Sequence, residues 1–121
     1  DVLLTSSGLR TLEPGDERYV GRYVGGPRQR DLSYHQGTVW PWLLGPYVEA
    51  SLRAYGPEEG RVRALRRLLD GFAEHLDTAG LGHVSEVFGG DAPHDPGGTI
   101  AQAWNVAELL RAYALLEENA P

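Results

Sequence analysis

Apolar side chains recur at helical spacing in two long stretches in the middle of the chain. The first predicts a helix that begins near Trp40 or Pro41 and ends near Tyr55, because apolar residues fall at i, i+3 and i+4. The second predicts a helix over about 57–78, where an acidic turn precedes apolar residues of the same period. Gly56 lies between them, at a position suited to a helix stop. The two stretches therefore predict a helical hairpin.

A third helix is predicted to begin near Thr99, where Thr99-x-x-Gln102 has the form of a capping box. Its apolar residues cover most of the circumference, which predicts burial between layers and places Trp104 in the core. By contrast, glycine and proline interrupt residues 1–37 every few positions, which predicts a loop-rich arm. No strand pair is predicted. We expect one all-α segment over 1–121, with the arm at 1–37 and the helical part at 38–121.

Charge and composition exclude several functional classes. The 121 residues include 17 acidic and 11 basic side chains, and the net charge of −6 argues against binding to nucleic acid or an anionic membrane. No apolar run approaches the roughly 20 residues that a membrane-spanning helix needs. The absence of cysteine removes thiolate metal sites and a cysteine nucleophile, and it fits a cytoplasmic location. The absence of methionine leads us to expect a piece of a longer protein.

The first motif with chemical content is Tyr34-His35-Gln36-Gly37-Thr38-Val39-Trp40-Pro41-Trp42, at the entrance of the first long helix. Aromatic faces stack on the CH faces of sugars, and planar polar side chains exchange hydrogen bonds with hydroxyl groups. His35, Gln36 and Trp40 are therefore candidate sugar-binding residues. The position of His35 beside Gln36 favours hydroxyl binding over proton transfer.

The second motif is the loop 82–91, between the second and third predicted helices, and it supplies the carboxylates that the first motif lacks. Glu86, flanked by the apolar Val84 and Val87, is the candidate catalytic residue. Asp91 is a candidate for binding a substrate hydroxyl or for bracing the loop. Asp91 and Asp95 lie near His83 and His94 in sequence, but no helix holds two of these ligands on one face, so no metal site is predicted, and no cofactor is expected.

These motifs resemble the C-terminal part of the glycogen-debranching enzyme family, the amylo-α-1,6-glucosidases with an (α/α)6 barrel. Residues 34–41 resemble the family's Tyr-His-x-Gly-Thr-x-Trp-Pro motif. Residues 85–91 resemble its Ser-Glu-x-Phe-Asp-Gly-Asp loop, with Gly89 in place of the family's first aspartate. Residues 97–108 resemble the family's final inner helix, and residues 8–12 resemble its lead-in.

The resemblance implies a helical-hairpin segment of an (α/α)6 barrel that belongs to an inverting glycosidase of α-1,6 branch linkages in glycogen or limit dextrin. It implies that Glu86 is the general base, that His35, Gln36 and Trp40 line the sugar pocket, and that Asp91 supports the catalytic loop. It also implies a general acid on an earlier barrel loop, in a Trp-x-Asp type motif that this chain lacks. The isolated chain is therefore expected to be inactive and to self-associate through faces that the rest of the barrel would cover.

Three other interpretations stay open. One is another α/α-barrel α-glucosidase, of glucoamylase or trehalase type. Another is a non-catalytic carbohydrate-binding or helical interaction module, and a third is an inactive homologue. Turnover separates them, because an enzyme releases sugar and a binding module does not. A serine hydrolase is not indicated, because Gly-x-Ser-x-Gly is absent.

Overall fold

A computed structural model describes residues 2–120 of the chain. Five α-helices and five short strands follow one another in these residues, with a 3₁₀ turn before the second helix. In chain order they are β1 (Leu4–Thr5), β2 (Gly8–Arg10), α1 (Pro27–Tyr34), β3 (Val39–Trp40), the 3₁₀ turn (Pro41–Leu43), α2 (Leu44–Tyr55), α3 (Glu59–Asp70), α4 (Phe72–Thr78), β4 (Val87–Phe88), β5 (Pro96–Gly97) and α5 (Ala103–Glu118).

The strands form one antiparallel sheet in the order β1-β2-β3-β4-β5. The prediction of a helical segment therefore holds in part, because helices dominate, but the expectation that strand pairs are absent is wrong. Each strand has only two or three residues, too few to show the alternation by which a strand is recognised. In the middle of the sheet Val39 pairs with Phe88. This pairing brings the two motifs, which are far apart in sequence, side by side.

The arm is more ordered than its sequence indicates, because its residues 27–34 form helix α1. Gly26 precedes the helix, and its backbone N–H donates to the Gln29 side chain at 2.7 Å, while Pro27 occupies the first turn. The only buried residue of α1 is Ser33. A helix with almost no buried face has no apolar period, so the sequence pattern could not reveal it.

The core lies between α2, α3 and α5, and its composition agrees with the predicted apolar stripes. The buried residues of α2 include Leu44, Val48 and Leu52, and those of α3 are Val62, Leu65 and Leu69. The first predicted helix is confirmed over 44–55, with the 3₁₀ turn leading into it. The second, predicted as one helix over 57–78, is divided at Gly71 into α3 and α4. Glycine is a poor helix former, which fits a break there.

Helix α5 begins at Ala103 and not near Thr99, so the predicted capping box does not form. The backbone of Thr99 is instead paired with Glu86, which leaves Gln102 as the residue before the helix. The prediction that Trp104 belongs to the core is also wrong, because 55% of its surface is exposed. Asn105, the next residue, is fully buried. Within the described residues 2–120, none of the helices combines the length and the apolar composition that a membrane span requires.

Candidate functional site

Glu86 lies in the loop between α4 and α5, and both oxygens of its carboxylate have hydrogen-bond donors. Oε1 accepts a hydrogen bond from the Tyr34 hydroxyl, and Oε2 accepts one from the backbone N–H of Thr99 at 2.9 Å. The backbone N–H of Glu86 donates to the Thr99 carbonyl, also at 2.9 Å. Gly98 has a φ of +72°, and a Cβ there would overlap Glu86 Oε2. The carboxylate is therefore held in one orientation by two different segments.

Tyr34 is the donor that connects the two motifs. Burial, followed by the hydrogen bond to Glu86, raises the pKa of the Tyr34 hydroxyl well above its usual range. At neutral pH this hydroxyl therefore keeps its proton and donates a hydrogen bond to the carboxylate. The sequence placed Tyr34 in the first motif but gave it no role, because its partner is 52 positions away.

Asn105 holds the backbone around Glu86, and sequence reasoning missed it. Its Nδ2 donates to the carbonyl oxygens of Ser85 at 2.7 Å and Glu86 at 2.9 Å. Its Oδ1 accepts a hydrogen bond from the backbone N–H of Trp42 at 3.1 Å. One buried amide thus joins α5, the Glu86 loop and the 3₁₀ turn. The signal in the sequence is a polar residue inside an apolar stripe, because such a residue needs hydrogen-bond partners.

His75 supports the same loop from α4. Its Nε2 accepts a hydrogen bond from the Ser85 backbone N–H at 3.1 Å, and its ring contacts Phe88 edge to face at 4.9 Å between centroids. Burial lowers the pKa of His75 below its usual value, so the ring is neutral at pH 7 and can accept this bond.

An aromatic cluster lies next to Glu86. Trp40 is 95% buried as a residue, and its ring packs against Tyr34 edge to face, with 4.8 Å between centroids. His35 is nearly parallel to Trp40, with a 4° interplanar angle and 6.0 Å between ring centroids. The Trp104 and Trp40 ring centroids are 6.3 Å apart. Trp40 Nε1 donates to the Tyr34 carbonyl at 3.1 Å. Tyr34 therefore touches both the Trp40 ring and the Glu86 carboxylate.

A cavity of about 410 Å³ opens beside this cluster. His35 and Trp40, two of the predicted sugar-binding residues, are in its wall. Trp104 and Glu108 of α5 are also in the wall, although neither is predicted from the sequence to belong to a site. The full lining is Thr11, His35, Trp40, Trp42, Leu43, Trp104 and Glu108.

Gln36 is placed away from this cavity wall, at the end of α1. Its Nε2 donates to the Leu32 carbonyl at 2.9 Å, and its backbone N–H donates to the Ser33 carbonyl at 3.0 Å. The Gln36 carbonyl accepts a hydrogen bond from the Val20 N–H at 2.6 Å. These contacts join the end of α1 to Val20, which lies earlier in the arm.

Asp91 also contacts the arm and not the cavity wall. Its Oδ1 accepts a hydrogen bond from the Tyr19 hydroxyl at 2.9 Å, and its N–H donates to the Gly21 carbonyl at 3.1 Å. Burial and this carboxylate raise the pKa of Tyr19. No group of three or more acidic or histidine side chains within the span 2–120 is arranged to hold a metal ion.

The two motifs also touch through backbone atoms. A Cβ at Gly90 would overlap the carbonyl oxygen of Gly37, which itself has a φ of +137°. Gly89 differs, because the nearest atom to a Cβ there would be the Gly21 carbonyl oxygen at 3.5 Å, an ordinary contact. Gly90 is therefore required by the close approach, whereas Gly89 has room for a side chain.

Comparison with known proteins gives a match to a family model and relatives that are much longer than this chain. A family model described as "Amylo-alpha-1,6-glucosidase" matches residues 1–111. The chain is 38% identical to the "Glycogen debranching enzyme" of Saccharomyces cerevisiae over 56 residues, which is 41% of this chain and 4% of that protein. It is 31% identical to "Cytosolic invertase 1" of Oryza sativa subsp. japonica over 125 aligned residues, 98% of this chain and 20% of that protein. The chain thus spans a fifth or less of the length of these relatives.

Proposed function

The chain belongs to the amylo-alpha-1,6-glucosidase family, and from that membership we propose that it carries the general base of an inverting glycoside hydrolase. The substrate in this proposal is a branched α-glucan, such as glycogen or its limit dextrin, cleaved at α-1,6-glucosidic branch linkages. Glu86 is the base, and the aromatic cluster with His35 and Trp40 receives the glucosyl ring. The chain is one segment of an (α/α)6 barrel whose remaining helices lie outside these residues.

The observation that carries the proposal is the setting of the Glu86 carboxylate. An ionised carboxylate offers about four lone-pair sites, and the bonds from Tyr34 and Thr99 occupy two of them. The remaining sites are available to a water molecule. Glu86 does not line the cavity of about 410 Å³ itself, and its link to the aromatic cluster is Tyr34, which bonds to the carboxylate and packs on Trp40. We therefore propose that the water lies on the fixed carboxylate, on the side of this cluster. A fixed base within hydrogen-bond reach of its proton donor is what general base catalysis requires.

The proposed reaction uses this water as the nucleophile. Glu86 takes a proton from the water while the water oxygen attacks the anomeric carbon. At the same time the bond between the anomeric carbon and the leaving oxygen breaks. A second carboxylic acid protonates that oxygen, and in inverting enzymes the two carboxyl groups are roughly 6.5–9.5 Å apart. We assign this acid to a segment outside the 121 residues, since these match only a fifth or less of their relatives. The isolated chain is therefore expected to release no sugar.

The rice relative supports a second candidate within the same class. Its name describes an invertase, and the similarity covers 98% of this chain. The same base can therefore belong to a glycosidase of another linkage, including a glucoamylase- or trehalase-type enzyme. Its name also describes a cytosolic protein, which supports a cytoplasmic location as part of the proposal. A non-catalytic module that binds carbohydrate remains the alternative if no turnover is found.

The test measures glucose release from a branched limit dextrin by a full-length protein that contains this chain. Glu86→Gln keeps the shape of the side chain and removes the base, so the rate should fall on the order of a hundredfold to ten-thousandfold. Glu74→Gln, at an exposed glutamate of α4, is the matched control and should leave the rate unchanged. If Glu86→Gln hydrolyses as fast as the unmodified protein, the assignment of the base is wrong.

A further inference from the structure

The α5 side of the cavity has no part in the proposed proton transfer. Trp104 and Glu108 are one helical turn apart, so they lie on the same face of α5, and both line the cavity. The Trp104 ring is tilted by 53° from that of Trp40, and 55% of the residue is exposed. An accessible indole surface and a carboxylate therefore share one wall of the cavity.

The Glu108 carboxylate is fixed in place by Arg111. Arg111 Nη2 and Nε donate to Glu108 Oε2 at 2.8 and 3.0 Å, and Arg111 Nη1 donates to Glu49 at 2.7 Å. The hydrogen bonds to Glu108 and Glu49 raise the pKa of Arg111 above its usual value. Gly45 of α2 also lies against this carboxylate, because a Cβ at Gly45 would overlap Glu108 Oε2. Helices α2 and α5 therefore approach closely here. Glu108 is thus an oriented acceptor.

We propose that Trp104 and Glu108 form a subsite for a neutral glucosyl ring. One CH face of the ring packs on the indole of Trp104, and neighbouring hydroxyls donate hydrogen bonds to the carboxylate of Glu108. Hydrogen bonds to a charged acceptor are stronger than those between neutral groups, which makes Glu108 the residue that selects a sugar with free hydroxyls. A uronic acid fits less well, because the three nitrogens of Arg111 are already engaged with Glu108 and Glu49 and leave the carboxylate of the uronic acid without a cationic partner. This inference rests on the proposed carbohydrate function and adds the residues of α5 to it.

Aromatic rings with a carboxylate also bind quaternary ammonium ions, so a cation is the competing ligand. The structure favours the neutral sugar, because Arg111 already neutralises Glu108 through its two nitrogen donors. Little net negative charge is left to attract a cation, whereas Glu108, which lines the cavity and has a side chain that is 27% exposed, keeps lone pairs that can accept hydrogen bonds from hydroxyl groups.

The test measures dissociation constants of the 121-residue chain by ligand-detected NMR, with isomaltose, glucuronic acid and choline as probes. Isomaltose should bind saturably and the other two should not. Trp104→Ala and Glu108→Gln should each weaken isomaltose binding about tenfold or more, the effect of losing a contact to an aromatic or charged partner. Trp104→Phe should restore part of the affinity. The control Tyr55→Ala, at an aromatic residue that is 72% exposed and outside this cavity, should change nothing.

Failure of this inference and failure of the proposed function give different results. Isomaltose binding that is absent, or that is unchanged in both α5 variants, overturns the subsite even when glucose release by the full-length protein requires Glu86. Choline binding in place of isomaltose also overturns it. If both α5 variants lose binding while Glu86→Gln retains hydrolysis, the subsite stands and the catalytic assignment fails.

Discussion

Replacing Asn105 by alanine should destabilise the chain and loosen the loop that carries Glu86. The side chain is fully buried and takes part in three hydrogen bonds, with the Ser85 carbonyl, the Glu86 carbonyl and the Trp42 N–H. Each buried bond contributes about 1 kcal/mol net, and each partner left unpaired costs about 1–3 kcal/mol. With three partners left unpaired, we expect the free energy of unfolding to fall by at least about 3 kcal/mol, a large part of the roughly 5–15 kcal/mol typical of a domain.

The assay is urea unfolding of the 121-residue chain followed by tryptophan fluorescence, with the midpoint and slope fitted together. The matched control is Asn119→Ala, because Asn119 also lies at α5 but makes a single, partly buried side-chain bond, to the Leu115 carbonyl at 2.8 Å. That variant should lose less than about 1 kcal/mol. Asn105→Asp tests the two bonds that the Asn105 Nδ2 donates. It keeps an oxygen that can accept from the Trp42 N–H, but it places an oxygen in front of the Ser85 and Glu86 carbonyls, where the N–H donor was. If Asn105→Ala costs no more than Asn119→Ala, the hydrogen bonds do not hold this loop.

The other predictions concern glycine packing and titration. Gly90→Ala should lower the midpoint of thermal unfolding by several degrees because of its backbone overlap, whereas Gly89→Ala should leave it nearly unchanged. Because burial lowers the pKa of His75, the folded chain binds a proton at this ring less readily than the unfolded chain does. The free energy of unfolding should therefore fall as the pH decreases below about 6.5, which the urea midpoint measures. His75→Ala should weaken this pH dependence. Because the pKa of Tyr34 is raised, stability should also fall as pH rises above about 10, less steeply in Tyr34→Phe.

Each of these predictions has an outcome that contradicts it. Equal midpoints for the two glycine variants would mean that the motifs do not meet at Gly90. A urea midpoint of the unmodified chain that does not change below about pH 6.5 would mean that His75 does not accept the Ser85 hydrogen bond in its neutral form. If stability falls as steeply above about pH 10 in Tyr34→Phe as in the unmodified chain, the pKa of Tyr34 is not raised by folding.

The helices that form the core could be predicted from sequence because burial imposes a period. Leu44, Val48 and Leu52 fall on one face of α2, and the stripe that they form is visible without any structure. Helix α1 could not be found this way, because Ser33 is its only buried residue. The strands were missed for a related reason, since a pair such as Val39 with Phe88 joins residues 49 positions apart in strands of two residues.

The site was partly visible from sequence. The two motifs drew attention to His35, Trp40 and Glu86, because clusters of aromatic and carboxylate side chains are unusual in loops. The roles of Tyr34 and Asn105 depend on partners that only the folded chain brings together. Trp104 was misplaced in the core for a physical reason: an apolar period shows which residues share a face, but not whether the chain itself covers that face.

The central claim is that Glu86 activates the attacking water, and chemical rescue tests it most directly. In a full-length protein containing this chain, Glu86→Ala removes the base and leaves space for a small anion. Added azide needs no deprotonation, so it should restore cleavage of an activated α-glucoside and yield the β-glucosyl azide, which NMR identifies by its anomeric proton. Glu74→Ala should show neither the loss nor the rescue. If Glu86→Ala is inactive and azide restores no cleavage, or if the azide product has the α configuration, Glu86 is not the general base of an inverting reaction.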